Sequence, residues 1–160
     1  MSSKISEEEK YKLWKNNYTL YASYYLMPHN TGKSYSLEDL QKKIKKTFSI
    51  SNIEARKKAS LSLSDNIVFK MLSYDSKHVE KTILDCMNIA YKKNKDYGSA
   101  NILDFGIYGL LVRINDKLAR LINLQKIKSR SVKDETIEDT IKDIINYSIY
   151  LQMLAENVWF

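Results

Sequence analysis

The chain has 160 residues, 44% hydrophobic and 28% charged, enough for one domain with its own core or a core domain with an extension. Its formal charge of +7 points to an anionic partner: a nucleotide, a nucleic acid or an acidic surface. The single Cys86 excludes an internal disulfide, no run of about 18 apolar residues offers a membrane span, and the start Met1-Ser2-Ser3-Lys4-Ile5 lacks a signal peptide's apolar stretch, so a cytoplasmic protein is expected.

Only four glycines and one proline interrupt the chain, which favours long helices. Residues 7–26 read as the first. Tyr11, Trp14, Tyr18, Tyr21 and Tyr25 recur at steps of three and four, so they share one face. Such a stripe is a core or a helix–helix seam, with base stacking as the alternative. Pro28 ends this helix, and residues 28–35, with Gly32, form a loop. Ser36 caps a second helix whose apolar face is Leu37, Leu40, Ile44 and Phe48, and whose other positions include Lys42, Lys43, Lys45 and Lys46. Ser51 caps a short third helix carrying Arg56, Lys57 and Lys58. The two basic helices read either as a helix-turn-helix for nucleic acid or as a solvated basic face. A short apolar segment follows over 64–74, and the connection Ser73-Tyr74-Asp75-Ser76 divides an N-terminal helical extension, 1–74, from a C-terminal domain, 75–160.

A helix over about 76–95 ends in Lys92-Lys93-Asn94-Lys95, cations that suit the negative end of its dipole. Three of the four glycines then fall between Gly98 and Gly109. This segment reads as a connection between helices or as backbone that receives a phosphate. It is neither a Walker A loop nor a Rossmann fingerprint, because no Lys-Ser/Thr follows the glycines and no strand precedes them. The next helix, about 107–126, buries Ile107, Leu110, Leu111, Ile114, Leu118 and Leu121 and presents Arg113, Asp116, Lys117 and Arg120 opposite. A polar loop spans 128–134. The last helix, from Asp134 to about 155, buries Ile137, Ile141, Ile144 and Ile145 and lines up Glu135, Asp139 and Asp143, with Glu138 beside them. The expected fold is all-α, a bundle of antiparallel helices.

A carboxylate series at four-residue spacing repels itself by a few tenths of a kcal/mol per pair (~0.2–0.5). Two arrangements relieve it. Arg113, Lys117 or Arg120 of the preceding helix forms an ion-pair ladder, or a divalent metal binds. Oxygen ligands without histidine suit Mg²⁺ or Mn²⁺. His29 and His78 sit in no metal pattern, and Cys86, within an amphipathic helix, is expected to be buried and inert.

Lys93-Asn94-Lys95-Asp96-Tyr97-Gly98, Phe105-Gly106, Gly109, Arg113, Asp116-Lys117, Arg120-Leu121, Glu135, Glu138-Asp139-Thr140, Asp143 and Asn146-Tyr147 together resemble the nucleotide modification associated domain 1 family. These are phage and bacterial relatives of the MazG-like all-α nucleoside triphosphate pyrophosphohydrolases, and the resemblance covers about 75–155. It implies a MazG-like helical site that binds a nucleotide through Mg²⁺. Glu135, Glu138, Asp139 and Asp143 would be the catalytic carboxylates. Asp116, Glu135, Asp139 and Asp143 would hold the metal. Lys95, Asp96, Tyr97, Gly98, Arg113, Lys117, Arg120 and Asn146 would contact the nucleotide. It also implies assembly into a homo-oligomer. MazG-like enzymes carry Glu-x-x-Glu on one helix and Glu-x-x-Asp on the next. Here Asp143 stands five residues after Glu138 rather than three. Three functions therefore stand side by side: a Mg²⁺-dependent nucleotide pyrophosphohydrolase, a protein that sequesters a nucleotide or cyclic nucleotide (the role of a phage anti-defence sponge), and a nucleic-acid-binding protein using residues 33–58.

Overall fold

The computed structural model describes residues 4–27, 34–127 and 134–159, with the side chains of 134–136 outside the description. Pro28, His29, Gly32 and the 128–133 loop therefore lie outside the described residues. Among those described there are six α-helices and no strand: α1 (Glu7–Tyr24), α2 (Leu37–Phe48), α3 (Ile53–Leu72), α4 (Val79–Tyr97), α5 (Ala100–Lys126) and α6 (Asp134–Ala155). The fold is all-α, as the periodicity indicates. No described helix is long and apolar enough to cross a membrane.

The helix starts follow local chemistry. Ser6 and Glu9 form a reciprocal capping box at α1, and Ser36 Oγ accepts from the Asp39 N–H at α2. At α3 the cap is Asn52 rather than Ser51, its Oδ1 accepting from the Ala55 N–H at 2.9 Å. The short basic helix and the apolar segment after it are one 20-residue helix. Ser60 and Ser64, where the two meet, lie inside it. Ser60 Oγ donates to the Arg56 carbonyl and Ser64 Oγ to the Leu61 carbonyl, so both are buried within the helix.

Helix α6 is the axis of the molecule. It packs against α1, α3, α4 and α5, while α2 lies on α3 and α5. It is consequently buried nearly all round through its second half, polar residues included. Each of these polar residues has a partner. Ser148 Oγ donates to the Ile144 carbonyl, and Gln152 Nε2 donates to the Tyr25 hydroxyl and to Asp65. The aromatic stripe of α1 is core. Trp14, Tyr18 and Tyr25 are buried, and Trp14 stacks on Tyr18 and meets Tyr150 and Trp159 edge-on. One hydrophobic cluster joins Trp14 and Tyr18 of α1 and Ile67 and Met71 of α3 to Ile83, Leu111 and Ile145 of the C-terminal helices.

Candidate functional site

The glycine segment is mostly helix. Only Gly98 and Ser99 form a turn. Gly98 adopts φ +70°, a conformation that glycine reaches without strain, and its N–H bonds back to the Asn94 carbonyl at 2.7 Å. Asn94 Nδ2 donates to Ser99 Oγ, and Trp159 Nε1 donates to the Ser99 carbonyl, which pins the turn from both sides. Gly106 interrupts α5 with φ 56° and ψ −144°. Gly109 is glycine for space, since a Cβ there would meet the Phe105 Cβ at 2.4 Å.

Helices α5 and α6 run antiparallel, and their charged faces meet in register. Arg113 sits over the Tyr147 ring at 5.9 Å, and one turn along, Lys117 Nζ donates to Asp143 Oδ2 at 3.0 Å. Lys93, near the end of α4, donates to the other oxygen, Asp143 Oδ1, at 3.3 Å. Asp143 is thus held between lysines from two different helices. Only 23% of its side chain is exposed, so these are shielded contacts.

The remaining expected site residues distribute as follows. Asn146 lies one turn below Asp143 and is 4% exposed. Its Oδ1 accepts from the Tyr18 hydroxyl at 2.6 Å, and its Nδ2 donates to the Cys86 carbonyl at 3.0 Å. Burial raises the Tyr18 pKa well above its ordinary value, which keeps that hydroxyl protonated as the donor. Asn146 therefore ties α6 to α1 and α4 beneath the site. Asp116 and Arg120 are exposed on α5, and Asp139 is exposed on α6. Glu138 faces another cavity, of about 360 Å³, together with Asp85 and Lys142. The Glu135 side chain lies outside the described residues.

The acidic series divides for a geometric reason. Residues five apart on a helix are rotated by about 140°, so Glu138 and Asp143 point to different neighbours. Among the described residues no group of three His, Cys, Asp or Glu side chains is placed to hold a metal ion. Both Asp143 oxygens are already engaged by ammonium groups. Among the described side chains the carboxylates thus do not converge on one ion, and the Glu135 side chain lies outside them.

Lys95, Tyr97 and Gly98 instead line a cavity of about 560 Å³ between the α4–α5 turn and the first turns of α1, with Tyr11, Asn94 and Ser99 among its other walls. This volume is in the range of small-ligand sites. Tyr97 is 78% exposed and stands one helical turn past Lys93, so the cavity wall and the Lys93 ammonium share one face of α4. Lys93 and Tyr147, both among the residues that carry the family resemblance, stand beside Asp143 and Arg113 respectively.

Cys86 is fully buried, and burial pushes its thiol up to about 12. His78 is exposed at the start of α4, its Nδ1 2.8 Å from Asp75 Oδ1.

Residues 93–154 match the family model of nucleotide modification associated domain 1. No curated protein and no solved structure matches the chain. The family match opens at Lys93 and contains Arg113, Lys117, Asp143 and Tyr147. The whole charged junction of α4, α5 and α6 lies inside it.

Proposed function

We propose that the nucleotide modification associated domain 1 segment of this chain binds a nucleotide at the junction of α4, α5 and α6, with phosphates at Lys93, Lys117 and Arg113 and the base toward Tyr97. The observation that carries this reading is Asp143 held between Lys93 and Lys117. Two ammonium groups around one carboxylate leave a net positive charge, and Arg113 adds to it. The carboxylate keeps both lysines extended and aimed at one point. A phosphate arriving there finds its donors already ordered, which lowers the entropy cost of binding.

Binding and retention of the nucleotide is the reading that the carboxylates support. Hydrolysis by a metal-activated water needs acidic side chains converging on one ion, and Glu138 and Asp143 diverge. The nucleotide is a free or cyclic one whose phosphates reach Lys93 and Lys117.

Calorimetric titration with nucleoside mono-, di- and triphosphates and cyclic nucleotides, with and without Mg²⁺, tests this, followed by chromatography of the recovered ligand. Saturable binding with the ligand returned intact is the expected result. Failure of every nucleotide to bind at millimolar concentration would overturn the reading. Recovery of a cleaved product with released pyrophosphate would replace retention by turnover.

A further inference from the structure

The corner where α2 ends, α3 begins and α5 bends takes no part in the nucleotide junction, yet it concentrates charge. Residues 42–58 hold seven lysines and arginines against one carboxylate, Glu54, a net +6 in a chain whose total is +7. Aromatic rings are displayed at the same corner. Phe48, the last residue of α2, is 45% exposed and meets Tyr108 of α5 edge-on at 4.8 Å. The Arg56 guanidinium lies over the Tyr108 ring at 4.4 Å, and its Nη1 also donates to the Tyr108 hydroxyl and to the Ile50 carbonyl. Phe105 is 70% exposed and immediately precedes Gly106, whose positive φ strains any other residue. Lys45 stands one turn before Phe48 on the same side of α2.

Exposed rings set among unbalanced cations call for a ligand that offers both flat faces and negative charge. We propose that this corner binds single-stranded nucleic acid, with bases stacking on Phe48 and Phe105 and phosphates meeting Lys45 and the other lysines of residues 42–58. A duplex fits less well, because its bases are already stacked on each other and present only their edges. A second copy of this chain would bring the same +6 surface against itself in a two-fold contact. Arg56 and Tyr108 hold each other in place, so the platform is ordered before any ligand arrives.

Fluorescence anisotropy with a labelled homopyrimidine 20-mer, a duplex of equal length and a base-free polyphosphate tests the proposal on the full chain. The single strand is expected to bind most tightly. Its affinity falls with salt at a log–log slope of about −2 for three phosphate contacts. Phe48→Ala with Phe105→Ala is expected to weaken the single strand by about ten-fold and leave the polyphosphate unchanged. Lys45→Glu with Lys46→Glu weakens both and leaves mononucleotide binding at the α4–α5–α6 junction unchanged, which separates this surface from that junction. All the substituted side chains at this corner are exposed, and an unchanged circular dichroism spectrum verifies the fold. Duplex binding at least as tight as the single strand, or ring variants that bind like the parent, would overturn the proposal. So would absence of oligonucleotide binding at low salt.

Discussion

Two carboxylates in this molecule are each flanked by two lysines. Asp85 on α4 accepts from Lys81 at 3.0 Å and lies 3.3 Å from Lys142 of α6. Asp143, the next residue after Lys142, accepts from Lys117 and Lys93. The chemistry is the same and the setting differs. One partner of Asp85 is its own helical neighbour four residues away, and the surrounding cavity adds Asp75 and Glu138, so the local charge is close to balanced. Both partners of Asp143 come from other helices, and Arg113 lies one turn along over the Tyr147 ring, so the cations in contact at this corner outnumber the carboxylate they hold. A balanced cluster holds helices together. A surplus one, assembled from three helices, has capacity left for an anion.

The largest effect expected in this comparison is one that does not distinguish the two clusters. Asn146 lies one turn after Asp143 and bonds to the carbonyl of Cys86, the residue after Asp85, so it anchors both. Asn146→Leu leaves the buried Tyr18 hydroxyl without its acceptor and removes the tie to the Cys86 carbonyl, which keeps its own helical bond. Urea unfolding should show a loss of about 1–3 kcal/mol. A loss below about 0.5 kcal/mol would mean that water reaches these groups and that the anchor is not dry.

Next in size, and decisive for the comparison, are the lysines themselves. Lys93→Met with Lys117→Met should weaken nucleotide binding by at least about ten-fold, or roughly 1.4 kcal/mol. Lys81→Met with Lys142→Met should leave it unchanged. Equal losses in the two pairs would show that the effect is the overall charge of the chain rather than the Asp143 site, and the distinction drawn here would fall.

Much of the scaffold was legible before the fold was known, and the reasons are local. Ser36 before an apolar-periodic run marks a helix start because its hydroxyl can satisfy an orphan N–H, and it does. The five aromatic positions of α1 could only share one face, and that face is core. Other parts were hidden by residues whose role depends on distant partners. The short basic helix and the 64–74 apolar segment read as separate, because the sequence does not reveal that Ser60 and Ser64 each bond back within one helix. Gly106 reads as part of a connection between helices, although it provides a bend within a single helix, and Gly109 gives room for Phe105 in that same helix. The Lys117–Asp143 pair was among the foreseen resolutions of the acidic series. Asn146 reads as a polar pocket residue, and only the packing of α1 and α4 against α6 commits its amide to the core.

A smaller effect separates the two meanings that Asp143 could carry. As a metal ligand it would be lost to function when made neutral. As the residue that holds two lysines in readiness, it competes with an incoming phosphate. Asp143→Asn should then bind nucleotide as well as the parent or more tightly, while stability falls by no more than about 1 kcal/mol, because the pair is partly exposed. A ten-fold loss of affinity, restored by nothing but a carboxylate at 143, would favour the metal.

The smallest predicted effect concerns Asp85 and acid. Its hydrogen bond from Lys81 holds its pKa below the ordinary carboxylate value, with Lys142 contributing in the same sense against partial desolvation. The sign follows from linkage. A carboxyl with a lowered folded-state pKa binds fewer protons when folded than when unfolded. Its contribution is fully present above the unfolded value near 3.8 and is lost as pH falls through the lower folded value. Thermal unfolding of the parent and of Asp85→Asn should differ slightly at pH 6, by at most ~1 kcal/mol given the exposure of the pair. The two curves should converge as pH falls through the lowered folded-state value. A difference that persists undiminished in acid would show that the Asp85 side chain acts through packing in its cavity, and the balanced cluster would then owe its hold to shape rather than to charge.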